Sequence, residues 1–144
     1  MRGKINLQKY QRKIRCATAF LFILYSLFFS IQCAKVSPEE RAALAAKGYY
    51  THLVKGEYEQ FLEGKAGGDS LPDAYREQLL TGYKQFMAQQ QTAHRGIREV
   101  QVSTARKDTL ADYVSVMLIL CYGDSTNEEI VVPMVEHNGC WRMK

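Results

Sequence analysis

The side chains able to exchange protons near neutral pH are few and widely separated along the chain. His52 and His94 fall near the ends of predicted helices, and His137 lies beside a predicted hairpin turn. Asp112 begins one predicted strand, and Glu99 lies within another. A general base needs a partner that orients it or a buried site that tunes its pKa. Because no His/Asp pair occurs at a spacing that forces the two together, the residues alone predict no catalytic site.

Motifs for other chemistries are missing from the sequence. The glycine-rich stretch 64–68 lacks the preceding strand and the following helix with Lys-Ser/Thr that a phosphate-binding loop requires. Neither a Gly-x-Ser-x-Gly sequence nor a Cys/His nucleophile arrangement occurs. His137 and Cys140 are metal-ligand types, but two ligands without further partners make a poor metal site. The residues therefore predict no cofactor and no metal.

Tyrosine is unusually frequent, with nine in 144 residues. Amphipathic rings of this kind could frame a pocket for an apolar or glycan-like ligand. The alternative is ordinary core packing with the hydroxyl groups at the rim, and the sequence leaves both interpretations open. The six that fall on faces predicted to line a helix–sheet interface are Tyr49, Tyr50, Tyr58, Tyr75, Tyr83 and Tyr113.

The elements that must position these residues begin with helices. The Ser-Pro-Glu-Glu sequence at 37–40 predicts a helix start, with Ser37 as the N-cap and Glu40 completing a capping box. Apolar residues then recur at intervals of three and four until Gly56, where this helix should end. A short second helix fits residues 57–62.

A third and longer helix is predicted after the glycine-rich stretch. Asp69 or Ser70 is expected to cap it near Pro72. It should end at residues 94–96, where basic groups lie near the negative end of the helix dipole. Its apolar face consists of Tyr75, Leu79, Leu80, Tyr83, Phe86 and Met87.

After Gly96 the hydrophobic period changes to two, which predicts strands. One of them is apolar on both faces, as a central strand should be, and Pro133 in the next indicates a bulge or a partly unpaired edge. Asn138-Gly139 predicts a tight hairpin turn, after which Trp141 should pin the last strand to the sheet. The predicted strands lie at 99–103, 112–122, 129–136 and 140–144.

The expected strand register argues against a disulfide between Cys121 and Cys140. Cys140 should pair near His137 and Cys121 near residues 129–131. The two would then lie about seven residues apart along the middle strand, or roughly 23 Å. A disulfide needs Cα atoms within about 7 Å of each other. We therefore predict no disulfide.

Residues 1–32 have the pattern of an export signal. Six basic residues in the first fifteen positions precede sixteen uncharged residues, 16–31. As a helix this run would span roughly 24 Å, short of the ~30 Å hydrocarbon core of a membrane. Cys33 closes the run, as in bacterial lipoprotein signals, where cleavage precedes a cysteine that is then lipidated. Two alternatives stay open, namely a cleaved soluble protein and an uncleaved single-span anchor.

The formal net charge of +4 comes from this segment. Without residues 1–32, thirteen Lys and Arg remain against fifteen Asp and Glu, which gives −2. Nucleic-acid binding thereby loses its main support. The sequence predicts a signal at 1–32, a short tether at 33–36 and one domain at 37–144, located in the cell envelope and facing the periplasm.

Three stretches carry a resemblance to the nuclear transport factor 2-like superfamily. Residues 54–61 resemble the joint between its first two helices, where a Gly, an acid and an aromatic follow in order. Residues 71–79 resemble the start of its long helix. Residues 128–143, which end in Gly-Cys-Trp-Arg-Met, are similar to the terminal hairpin of small lipoproteins of this superfamily from Bacteroidetes-type bacteria. The resemblance covers residues 37–144.

The resemblance implies a cystatin-like α+β cone. In this fold N-terminal helices, one of them long, pack on a curved antiparallel sheet of about four strands that wraps the long helix. Enzymes of the superfamily place an Asp or a His in the cone, where burial tunes its pKa. The candidates here would be the three histidines, Asp112 and Glu99. Other members are binding modules or assembly domains, so the fold alone implies no activity.

The combined expectation is an envelope lipoprotein anchored to the membrane through Cys33, whose domain binds a small molecule or a protein without catalysis. A homodimer through the open face of the sheet is one form of such binding. Two alternatives stay open. One is a hydrolase- or isomerase-type enzyme using a buried carboxylate or His, and the other is a docking module for another envelope protein.

Overall fold

The computed structural model describes residues 36–144, so the predicted signal, Cys33 and the rest of the tether up to residue 35 lie outside the described part. Helices precede strands, as predicted, and no helix in the described part is long and apolar enough to cross a membrane. The helices are α1 (Pro38–Lys55), α2 (Tyr58–Glu63) and α3 (Asp73–His94), with a 3-10 turn at Gly68–Ser70. The strands are β1 (Ile97–Lys107), β2 (Val114–Tyr122), β3 (Asn127–His137) and β4 (Cys140–Met143), which form one antiparallel sheet in the order β1-β2-β3-β4.

Both ends of α1 are where the sequence predicts them. The Ser37 hydroxyl accepts a hydrogen bond from the backbone N–H of Glu40 at 3.1 Å, which satisfies one of the free donors of the first turn. At the other end Gly56 adopts φ 79°, a left-handed conformation that glycine enters without steric cost. The cap fixes where the chain turns into α2.

The start of α3 differs from the prediction. Neither Asp69 nor Ser70 caps it, because both belong to the 3-10 turn, in which the Ser70 hydroxyl donates to the carbonyl of Gly67. Pro72 precedes the first helical residue, and its carbonyl accepts the N–H of Arg76. Proline suits this position because its fixed φ is compatible with a helix start and it has no N–H to satisfy.

The two faces of the sheet differ in burial. Along β2, buried residues alternate strictly with half-buried ones, which shows that one face packs on a core and the other is open. We call these the inner face and the outer face. The inner-face residues of β2 are Val114, Val116, Leu118, Leu120 and Tyr122, and the outer-face residues are Ser115, Met117, Ile119 and Cys121.

The helix that lies against the inner face is α1 rather than the long helix implied by the family resemblance. Its buried residues are Ala42, Ala43, Ala46 and Leu53, and the small alanines let the helix approach the strands closely. Between Asp73 and His94, by contrast, no residue of α3 is fully buried. Tyr83 and Met87 of α3 contact the core from its side and stay only partly buried.

Pro133 lies in a regular part of the sheet. It pairs with Ser115 across a continuous β2–β3 register, so no bulge occurs there. On its other side Pro133 marks where β4 stops, and its carbonyl accepts the N–H of Lys144. From Asn127 to Val132, β3 has no partner on that side within the described residues. The partly unpaired edge is therefore the correct alternative.

Two glycine substitutions should have opposite effects on stability. Gly82 lies inside α3, and a Cβ there would meet no atom within 4 Å, so Gly82→Ala should raise the free energy of unfolding by up to about 1 kcal/mol. Gly68 lies in the 3-10 turn, where a Cβ would come within 2.3 Å of the Leu62 carbonyl oxygen. Gly68→Ala should therefore lower the free energy of unfolding by about 1–3 kcal/mol. Urea denaturation measures both, and changes of the same sign would contradict the packing described.

Candidate functional site

The space between α1 and the inner face is filled by apolar side chains. In the described part of the chain no polar or charged residue is fully buried. Four of the six predicted pocket tyrosines pack against this core, and the hydroxyl of one of them, Tyr49, donates to the carbonyl of Trp141 at 2.8 Å. The four are Tyr49, Tyr50, Tyr58 and Tyr83. Their positions favour core packing over a pocket.

Aromatic contacts join the three helices beside this core. The ring of Phe61 on α2 meets Tyr50 on α1 edge-on at 5.3 Å and Tyr83 on α3 at 4.9 Å. Burial raises the pKa of both Tyr50 and Tyr83 above its ordinary value, so the two phenols stay neutral at physiological pH. The rings therefore serve to hold α3 against the rest of the domain.

The remaining two predicted pocket tyrosines are outside the core. Tyr75 lies on α3 and is 50% exposed. Tyr113 lines a cleft of about 420 Å³ at the end of the sheet, where the start of α1 meets the start of β2 and the β3–β4 hairpin. We call this cleft the end cleft. It is lined by Pro38, Glu39, Lys107, Asp112, Tyr113, Val114, Glu136 and Trp141.

The end cleft combines aromatic walls with charges of both signs. The Lys144 ammonium lies 5.2 Å from the centre of the Tyr113 ring, and Arg41 forms an exposed ion pair with Glu136 at 3.6 Å. Asp112 is exposed to solvent here rather than buried. The cleft can therefore hold an amphipathic ligand, but it offers no desolvated carboxylate of the kind a general base requires.

The structure brings together one His/Asp pair that the sequence did not indicate. His94, at the end of α3, lies with its Nδ1 2.9 Å from a carboxylate oxygen of Asp124 in the β2–β3 turn. The backbone N–H of Asp124 also donates to the carbonyl of His94, and the imidazole stacks on Tyr122 at 4.6 Å. Thirty residues separate the pair, so only the packing of α3 against the hairpin could reveal it.

This pair fastens α3 to the hairpin. Asp124 is also held by Thr126, whose hydroxyl and backbone N–H both donate to it. Neighbouring Tyr122 donates its hydroxyl to Glu128, and burial together with this bond raises the pKa of Tyr122 to about 12. The Tyr122 phenol stays neutral, and the exposed Asp124 carboxylate already accepts hydrogen bonds from its neighbours. We therefore assign the cluster a structural role.

Acid should remove a stabilising contribution of Asp124. The hydrogen bonds from Thr126, together with the adjacent His94, lower the pKa of Asp124 to about 2. An unfolded Asp titrates at about 3.9, so the contribution is complete above that pH and is lost as the pH falls through about 2. The unfolding free energy of Asp124→Asn should therefore depend less on pH between about 5 and 2 than that of the wild type. The exposed Asp69→Asn is the control, and an unchanged slope in Asp124→Asn would contradict the assignment.

The other candidate bases lie apart from one another. His52 Nδ1 lies 2.5 Å from a carboxylate oxygen of Glu57 just beyond α1. His137 is exposed at the end of β3. Glu99 lies at the start of β1 and accepts a hydrogen bond from the Gln101 amide at 3.0 Å. The described structure thus places none of these three with Asp112 in the end cleft.

The two cysteines of the sheet are farther apart than the sequence predicted. Cys140 pairs with His137 as expected, but Cys121 pairs with Asn127 rather than with residues 129–131, because the turn after β2 is short. The pairing positions are ten residues apart on β3, or about 33 Å. Both thiols are free in the structure.

The outer face carries an apolar patch that nothing covers within residues 36–144. Val131 at its centre is 58% exposed, and its cross-strand neighbour is Met117. Glu99 and Glu129 lie toward one end of the face and Arg106 toward the other. We define the outer-face patch as Met117, Ile119, Val131, Pro133 and Val135. A contiguous apolar surface with a charged rim is typical of a docking site.

Comparisons with known proteins bear on the fold. No family model matches the chain, and a search of curated proteins likewise finds no match. Among solved structures, the chain is similar to a Campylobacter jejuni protein whose provisional description is NTF2-like transpeptidase, with 12% identity and a TM-score of 0.54. The similarity covers 68% of this chain and 92% of the other. At that identity it shows the fold alone, and the described domain has the nuclear transport factor 2-like fold.

Proposed function

We propose that the domain at 37–144 is a non-catalytic binding module that docks a protein through the outer-face patch, with a second copy of the chain as its partner. The observation that carries the proposal is the exposed apolar patch centred on Val131, on a domain whose interior is filled. The filled interior also leaves the hydrolase or isomerase alternative without a buried carboxylate or histidine among the described residues.

The charges on the outer face support self-docking. Glu99 on β1 pairs with Cys121 at one end of the face, and Arg106 on the same strand pairs with Ser115 toward the other end. When two such faces pack with their strands reversed, each Glu99 lies over the Arg106 of the other copy. In the same arrangement the apolar residues of β2 meet, whereas those of β3 lie against the acidic end of the other copy's β3. The face is therefore complementary to itself in charge along β1 and in hydrophobicity along β2.

A charge-reversal series tests this arrangement. Equilibrium sedimentation of the full chain in a neutral detergent should show a monomer–dimer equilibrium that Arg106→Glu weakens by roughly tenfold, because each dimer contains the contact twice. Glu99→Arg should weaken it similarly, and the double variant should restore it. Lys84→Glu makes the same charge change on exposed α3 and should have no effect. A monomer at all concentrations, or a double variant that adds the two losses, would refute self-docking.

The membrane anchor is a separate part of the proposal. The uncharged run ending at Cys33 and the similarity of residues 128–143 to the terminal hairpin of Bacteroidetes-type envelope lipoproteins support lipidation at Cys33 and a periplasm-facing domain. Metabolic labelling with a radioactive fatty acid should mark the wild type and Cys16→Ala but leave Cys33→Ala unlabelled. Equal labelling of Cys33→Ala would refute the anchor without affecting the docking face.

A second candidate function is the binding of a glycan-like ligand in the end cleft, favoured by the aromatic walls of Tyr113 and Trp141. Trp141 is the single tryptophan of the chain and lines the cleft, so its fluorescence reports on occupancy. Titration with tri-N-acetylchitotriose should change this emission saturably in the wild type and not in Tyr113→Ala. An unchanged emission in the wild type would rule out this sugar class as a ligand.

A further inference from the structure

A basic groove of about 310 Å³ lies between α1 and the first residues of β1, away from the end cleft, and it shares Glu99 with the rim of the outer face. Lys47, Thr51 and Lys55 follow one another at intervals of four residues, which places them on one side of α1. Val54 and Val100 add apolar surface between the two elements. The residues that line the basic groove are Lys47, Thr51, Val54, Lys55, Arg98, Glu99 and Val100.

The cations of the basic groove have no anionic partner in the described structure. Neither Lys47 nor Lys55 nor Arg98 forms an ion pair within residues 36–144, whereas Arg41 and Arg76 elsewhere in the domain do. The lack of ion pairs at these cations is unexpected from composition, because residues 36–144 contain twelve Lys and Arg against fifteen Asp and Glu. Carboxylates are therefore abundant, yet three cations line the groove where only one acid is present.

That one acid does not neutralise the groove. Glu99 accepts a hydrogen bond from the Gln101 amide, and it leaves the lining residues with a net charge of +2. Thr51 donates its hydroxyl to the carbonyl of Lys47, so the hydroxyl proton is already used within the helix. Recognition in the groove must then come from the three cationic side chains.

We propose that the basic groove binds a phosphate group, with the ammonium groups of Lys47 and Lys55 and the guanidinium of Arg98 as its donors. A phosphate group is negatively charged at neutral pH, as a free ion or as an ester, and so complements the net positive charge of the groove. An anion held between the two elements removes the mutual repulsion of the three cations, and the planar guanidinium suits two phosphate oxygens at once. The phosphate can belong to a lipid headgroup or to a free ion.

The test uses the ¹⁵N-labelled full chain in a neutral detergent. One arm adds inorganic phosphate, and the other adds phosphatidylglycerol to the micelles, with zwitterionic phosphatidylcholine as the comparison of zero net charge. Saturable shifts of the amide signals of Lys47, Thr51 and Arg98 are expected in at least one arm. Shifts with phosphatidylglycerol alone identify a headgroup as the source, and shifts with inorganic phosphate identify a free ion. The absence of saturable shifts in both arms overturns the proposal.

Variants separate binding from folding. Lys47→Gln should weaken the affinity for the effective probe by roughly tenfold, as expected for the loss of one charge-assisted hydrogen bond. Lys47→Arg keeps the charge and should retain the affinity within about a factor of two. Lys84→Gln removes a charge from exposed α3 and should bind like the wild type. Equal losses in Lys47→Gln and Lys84→Gln would show general charge screening and overturn the assignment to the groove.

Discussion

Leu118→Ala should lower the free energy of unfolding by about 3–5 kcal/mol, the largest single loss expected in the domain. Leu118 lies in the middle of β2 on the inner face, is fully buried, and has Val102 and Ile130 as its cross-strand neighbours. The central position in the sheet leaves little freedom for the backbone to close the cavity, so the loss includes a cavity cost as well as the lost burial. Urea or thermal denaturation measures it.

Leu110→Ala is the matched control for this loss. It removes the same atoms from a residue that is 98% exposed in the segment between β1 and β2. Its free energy of unfolding should change by less than about 0.5 kcal/mol. Similar losses in the two variants would mean that the inner face is not the core of the domain.

Val131→Glu should weaken self-association of the chain by about 100-fold or more. Val131 is 58% exposed at the centre of the outer-face patch, so a carboxylate there costs the monomer little. In the proposed dimer the substitution occurs twice, and each copy buries an unpaired charge against apolar side chains such as Met117. Equilibrium sedimentation measures the change in dissociation constant.

Leu110→Glu is the control for this second effect. It introduces the same charge at an exposed leucine in the β1–β2 segment, outside the outer-face patch. The dimer should persist in Leu110→Glu and be lost in Val131→Glu, while at concentrations where the wild type is monomeric both variants should unfold at its temperature. Equal effects of the two substitutions would indicate that net charge, rather than the outer-face patch, governs association.

Local signals predicted most of the fold. The cap at Ser37, the helix end at Gly56 and the Asn138-Gly139 turn act through their own backbone geometry, so they could be identified without tertiary information. In the turn, Asn138 and Gly139 both adopt positive φ, at 51° and 78°. The apolar residues on both faces of β2 predicted a central strand, and β2 does lie between β1 and β3, but its second face is only half-buried.

Features that depend on competition between elements could not be predicted in this way. Asp69 and Ser70 are both residue types that favour a helix N-cap, but they form part of the 3-10 turn that precedes α3. Which helix lies against the sheet depends on close packing of Ala42 and Ala46, a comparison that periodicity does not make. Cys121 pairs with Asn127, at least two residues from the predicted range 129–131. The length of the turn after β2 sets this pairing, and the sequence did not determine that length.

The candidate site was less predictable than the fold. Of the six predicted pocket tyrosines, Tyr113 lines the end cleft and four pack against the core, because amphipathic rings suit a core edge as well as a pocket. Two sites are formed by residues that are far apart in sequence. One is the pair of His94 with Asp124, and the other is the basic groove, which both Lys47 and Arg98 line. Such sites exist only once the helices are placed on the sheet.

In the proposed dimer, two copies of the chain dock through the outer-face patch. Methyl contacts between the copies are the most direct measurement of this arrangement. An equal mixture of ¹³C-methyl-labelled and unlabelled full chain in a neutral detergent permits isotope-filtered nuclear Overhauser spectra. Cross-peaks between copies are expected from the methyl groups of Met117, Ile119 and Val131, and they should disappear in Val131→Glu. Cross-peaks that arise from another surface, or none at concentrations where the chain is dimeric, would contradict it.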